Sequence, residues 1–193
     1  MVLTQVLNKS FVDTKKITNI ILKSLIVIGA LFVPTFLAKL VPLGKYQQLI
    51  IGTVVNTSLV LTAIYMKGTF KTLAIATLPS ISTILSGVLF SNMTVYTKYM
   101  IPAIWLGNLT FIFIYKFLFI YKKTNYILSA VPAIILKVSI IYLGFVLMSS
   151  SVNIPDMAKQ TLNTSMGLTQ LITATCGSTL GFLISGFYKV SNK

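Results

Sequence analysis

The segment SAVPAIILKVSIIYLG, residues 129–144, is apolar enough to lie in lipid, yet Lys137 stands in its middle. The apolar run around it extends from Tyr126 to Met148, long enough to cross the ~30 Å hydrocarbon core of a bilayer as one helix. Lys137 is eleven residues from either end of that run, about 16 Å along a helix that rises 1.5 Å per residue. From there its side chain cannot comfortably snorkel to a surface. An ammonium group facing lipid at that depth costs roughly 2.5–3.5 kcal/mol even on the most lenient insertion scale. Lys137 is therefore expected to face protein, water or a ligand.

Similar runs recur along the chain. With 126–148, the segments 18–38, 47–66, 72–90, 99–121 and 166–188 give six candidate spans separated by short, lysine-bearing breaks. Hydrophobic residues make up 55% of the chain and charged ones 9%, against a charged fraction of about 25% in soluble domains. The expected fold is an all-α integral membrane protein, a single compact bundle of six transmembrane helices over 1–193, with no room for a separate soluble domain. The third run, rich in Ser and Thr and carrying Pro79, suits the inside of a bundle better than a lipid-facing position.

All 16 basic residues are lysines. With the N-terminus inside, Lys9, Lys15, Lys16, Lys23, Lys67, Lys71, Lys116, Lys122, Lys123, Lys189 and Lys193 gather on one side, leaving Lys39, Lys45, Lys98 and Lys159 on the other. The positive-inside rule then puts both termini in the cytoplasm of a multi-pass protein in the cell (inner or plasma) membrane. The net charge of +14 is accounted for by this topology, and without arginine the chain lacks the fork that clamps phosphates; no nucleic-acid partner is expected. The segment 1–11 alternates apolar and polar residues as a short interfacial helix would. The first run is long and lacks a small-residue cleavage pattern, so it is read as a retained span. The longest connection, 149–165, is read as an external loop able to lie across the mouth of the bundle.

Catalysis has little to work with. There is no histidine, one cysteine (Cys176), and only Asp13 and Asp156 as acids. Triads, paired carboxylates, metal sites and intramembrane proton relays are all excluded on these counts. No enzyme, no cofactor and no metal are expected. The same scarcity leaves no helix with a carboxylate to neutralise Lys137. Three answers stand open: neutral oxygens solvate the ammonium, it sheds its proton, or an anionic ligand or partner group completes the site.

Polar residues that could converge on Lys137 come from four other spans. In the second, Thr53, Asn56 and Thr57 share a face at i, i+3 and i+4. The third offers Ser80 and Thr83, the fourth Asn108 with Trp105 one turn before it, the sixth Gln170 with Thr173. Small residues mark close helix contacts: Ala76, Ser80, Thr83 and Gly87 on the third span, and Ala174, Gly177, Gly181 and Ser185 on the sixth. Such stripes are read as packing within the chain ahead of an oligomer seam. Prolines 34, 79, 102 and 132 fall within spans and can kink a helix or free a carbonyl.

The stretches GTVVNTSLVLTAI (52–64), LPSI (78–81), YMIPAIWLGN (99–108), AIILKVSIIYL (133–143) and LTQLITATCGSTLGF (168–182) carry a resemblance. The chain resembles the substrate-binding S component of energy-coupling factor transporters, and looks most like the small S-component-like bacterial membrane proteins that often carry the label iron hydrogenase. That label finds no support, because iron–sulfur chemistry needs several thiolates. The resemblance points to Asn56, Pro79, Ser80, Pro102, Asn108, Lys137 and Gln170. It implies a bundle that binds a small-molecule solute from outside and works with a transmembrane coupling protein and two ATPases. It also implies docking through small residues of the first helix, here Gly29, Ala30 and Ala38, with Val33 and Pro34 where a second small residue would be wanted.

The function expected is thus a membrane-embedded solute-binding subunit, holding a small, anionic or carboxylate-bearing solute near mid-membrane. Lys137 would serve as counter-charge, with Asn56, Asn108, Gln170, Ser80 and Trp105 around it. The alternatives are a structural or assembly subunit whose small-residue stripes hold a partner, and an oligomeric facilitator.

Overall fold

The computed structural model describes residues 19–21, 23–30, 32, 36, 46–86 and 94–191; among them there is no β-strand. The helices in order are α1 (Asn19–Ala30), α2 (Gln47–Tyr65), α3 (Thr69–Ser86), α4 (Val95–Tyr121), α5 (Tyr126–Ser151), α6 (Asp156–Met166) and α7 (Leu168–Ser191). Four helical runs are long and apolar enough to cross a membrane: α2, α4, α5 and the stretch Asp156–Gly186 formed by α6 and α7. Side chains such as Leu147, Ile127 and Leu143 are more than half exposed on the outside of α5, a face that suits acyl chains and not water. The protein is an all-α membrane protein. α1 and α3 are shorter apolar helices. The segment 1–11, Pro34, Ala38 and Gly87 lie outside the described residues.

Helix ends are set locally. Past the end of α2 the chain turns at Gly68, whose φ of +98° suits a residue without a Cβ. Lys116, in a π-helical turn late in α4, donates from Nζ to the Met66 carbonyl at 3.1 Å, satisfying an acceptor at the negative end of α2. Lys116→Met should leave that carbonyl without its donor and cost about 1 kcal/mol, read as a lower melting temperature in detergent. At the start of α5, Asn125 Oδ1 accepts the Leu128 N–H at 2.9 Å, an N-cap. Pro102 falls at the first turn of the α-helical part of α4, where its missing N–H costs nothing; Pro79 and Pro132 are interior to α3 and α5.

The reading of 149–165 as a loop is corrected. Ser149–Ser151 complete α5, and Asp156–Met166 form α6. Asp156 lies in its first turn, where a carboxylate favours the positive helix end. Ala158, Leu162 and Met166, four apart, are buried with Ser165, while Lys159, Gln160 and Asn163 are exposed. One face of α6 thus packs onto Met100, Ile141, Phe145 and Met148.

Two apolar cores stack along the bundle. One holds Leu59, Val60, Phe111, Tyr115, Ala133 and Ile134, the other the α6 face and its neighbours. On α5 the buried stripe runs Ala130, Ala133, Ile134, Lys137, Ile141, Phe145, Met148, so Lys137 sits on the inward face between Ile134 of one core and Ile141 of the other.

Glycines bring the backbones together. A Cβ at Gly177 on α7 would meet Asn56 Cβ, the Thr53 carbonyl at 2.8 Å and the Thr57 amide at 2.9 Å; one at Gly181 would meet Val60 Cβ at 2.8 Å. The pair therefore seats α7 on α2 within the chain. Gly107 does the same between α4 and α5, with Lys137 O 3.1 Å from its would-be Cβ. Gly29 and Ala30, expected at a docking face, are instead buried, Gly29 against Ser58 and Val54 of α2. With Ile26 they form the stripe by which α1 joins the bundle, so neither is presented to a partner.

Candidate functional site

Asn56 is the hub of the buried polar residues. Its Nδ2 donates to the Gly52 carbonyl (2.8 Å), one turn back on α2, and to Thr173 Oγ1 of α7 (3.2 Å). Thr173 in turn donates to the Gln170 carbonyl. Both amide protons being engaged, Oδ1 is the atom left to face α5, and there it accepts from Lys137 Nζ. The close approach at Gly177 is what lets α7 reach Asn56 at all.

Lys137 is 2% exposed. Besides Asn56 Oδ1, its Nζ has the face of Phe111, 5.2 Å from the ring centre, a cation–π contact within the useful range. An ammonium carries three N–H donors, and Asn56 Oδ1 is its one hydrogen-bond acceptor among the described residues. The acid Asp156 begins α6, far along the chain from this layer. Asn56 and Phe111 thus hold the amine in part, and its remaining N–H are free to point into a cavity that Lys137 helps to line.

That cavity has a volume of about 90 Å³. Lys137, Asn56, Asn108, Ser80 and Gln170, all proposed from sequence, come together in its wall, joined by Thr83 and Thr173. Trp105 is not in the wall; its indole N–H is buried without a partner among the described residues. The lining face of α4 is Ile101, Ile104 and Asn108, and Trp105 stands about 100° round the helix from Ile104. Of the α2 triplet only Asn56 lines the cavity; Thr57 turns its hydroxyl to the Thr53 carbonyl (2.9 Å).

Asn108 is held by the backbone of α3: the Ala76 carbonyl accepts from its Nδ2 at 2.9 Å. Amide protons of both asparagines are therefore turned to the backbone.

Among the lining residues not singled out from sequence are Gln48, Thr97, Met166 and Thr169. Gln48 opens α2 and Met166 closes α6, so the cavity runs from Lys137 up to the underside of α6. Ser165 Oγ donates to Gln48 Oε1 at 3.0 Å, tying the end of α6 to the wall. Gln48 Nε2 is buried with no acceptor among the described residues. Compared with protein-family models, with curated proteins and with solved structures, the chain matches none. The cavity wall holds one lysine amine, amides and hydroxyls and no carboxylate, and among the described residues no group of His, Cys, Asp and Glu could hold a metal.

Proposed function

We propose that the chain is a membrane-embedded solute-binding subunit of an energy-coupling factor type uptake transporter, capturing a small anion near mid-membrane around Lys137. The observation that carries this reading is a buried lysine amine in a cavity wall without a carboxylate. Lys137 offers more N–H than Asn56 accepts, and Gln48 Nε2 has no acceptor. A ligand that brings oxygens and a negative charge completes both. Size narrows the class: about 90 Å³ is well under the ~300–1,000 Å³ of sites for drug-sized ligands. An inorganic monoanion or a short carboxylate fits; a vitamin requires the walls to part.

The membrane arrangement that goes with this function is six spans with both termini in the cytoplasm, as the lysine distribution favours. The cavity then lies beneath α6 on the outer side. Energy comes from a transmembrane coupling protein and two ATPases, which engage a surface other than Gly29 and Ala30, since α1 turns those residues inward.

The test is calorimetric titration of the purified protein with chloride, nitrate, formate and acetate, with formamide as the neutral control. The wild type should bind at least one anion and not formamide. Lys137→Met should remain folded and lose that binding entirely. Equal binding by the variant, or a preference for formamide, ends the assignment.

A further inference from the structure

A second cavity, of about 460 Å³, opens where the α2–α3 turn meets the last turns of α4. It shares no residue with the Lys137 cavity. One part of its wall is an apolar trough of Phe113, Ile114 and Phe117 along α4, with Phe113 and Phe117 about half exposed. The other part is Gly68, Thr69 and Thr72 with Lys116. Lys122 Nζ lies 5.6 Å from the centre of the Phe117 ring, and the exposed Lys67 and Lys71 flank Gly68 and Thr72 in the chain. Phe70 (86% exposed) and Tyr121 (69%) stand at the same end, as aromatic side chains do at the level of lipid headgroups.

We propose that this groove binds an anionic phospholipid, its phosphate among Lys67, Lys71 and Lys122 and an acyl chain along Phe113 and Phe117. The rim carries charge of one sign; Asp156, the acid among the described residues, lies at the other end of the bundle, at the start of α6. Basic pockets between membrane helices recognise acidic headgroups in this way. A free anion makes no use of the apolar trough, and a zwitterionic lipid gains little net attraction from the lysines. An acidic amphiphile uses both. Lys116 lines the site as well, with one of its three N–H held by the Met66 carbonyl.

The experiment presents the full chain in mild detergent with equal amounts of phosphatidylglycerol and phosphatidylcholine and counts retained lipid by native mass spectrometry. Phosphatidylglycerol should be retained preferentially. Lys67→Gln and Lys122→Gln, both at exposed positions, should each lower that preference about fivefold, the factor corresponding to ~1 kcal/mol per basic side chain near an acidic surface. Phe117→Ser should weaken retention of both lipids alike. Equal retention of the two lipids by the wild type, or an unchanged preference in both lysine variants, overturns the proposal. So does displacement of the lipid by inorganic phosphate as readily as by short-chain phosphatidylglycerol, which would make the occupant a free anion.

Discussion

Gly177→Ala should destabilise the bundle by about 3 kcal/mol, the upper end of the cost of overpacking a close contact. The added methyl has no soft neighbour to displace. It meets the Thr53 carbonyl at 2.8 Å and the Thr57 amide at 2.9 Å, both backbone, and the Cβ of Asn56, which no rotamer change moves. Relief requires α7 to withdraw from α2 along their shared length. Withdrawal also stretches the Asn56 to Thr173 hydrogen bond, so the variant should lose anion binding together with stability. Gly186→Ala is the matched control on the same helix: its Cβ meets nothing within 4 Å, and replacing glycine in a helix is favourable by up to ~1 kcal/mol. Thermal unfolding in detergent should place the two variants on opposite sides of the wild type. Coincident melting curves would show that the contact at Gly177 is not the tight one described.

The second large effect is expected at Asn56. Asn56→Leu removes the one acceptor that Lys137 has among the described residues and leaves its amine buried between two apolar cores; hydrogen bonds to charged groups contribute ~1.5–3 kcal/mol, with a further penalty for the group left unsatisfied. A loss of about 3 kcal/mol is expected. The double variant Asn56→Leu, Lys137→Met should recover most of it, because removing both members of a buried polar pair costs far less than orphaning one. That non-additivity is the measurement. If the single asparagine variant unfolds no more easily than the wild type, the amide is not what keeps the lysine inside.

Much of this was legible in the chain because membrane helices advertise themselves. The apolar runs at 47–66, 99–121 and 126–148 match α2, α4 and α5 to within a few residues. Depth and the absence of acids were enough to turn Lys137 inward, and Asn56, Asn108, Ser80 and Gln170 followed because polar side chains in apolar helices seek one another. What escaped was carried by weaker signals. The residues of α6 look like a tether because Asp156, Lys159, Gln160 and Asn163 dominate its composition; the four-residue spacing of Ala158, Leu162 and Met166, following Pro155, was the available clue. Gln48 sits at a helix start, where an amide is easily taken for an interfacial residue. Trp105 was placed by its one-turn distance from Asn108, but the lining stripe of α4 runs through Ile104 instead. Gly29 and Ala30 are buried, Gly29 against α2, and spacing alone does not say whether a small-residue face packs within the bundle or meets a partner.

The wall around Lys137 has a consequence for which ions can enter it. While that lysine is protonated, a sodium ion entering the cavity to ~5 Å from it is repelled by about 3 kcal/mol at an effective dielectric constant of 20, which lowers sodium occupancy by roughly two orders of magnitude. The bundle is then an electrostatic sieve as well as a receptacle. Under the proposed function, symport in which sodium shares this chamber with the solute is disfavoured before any question of specificity arises.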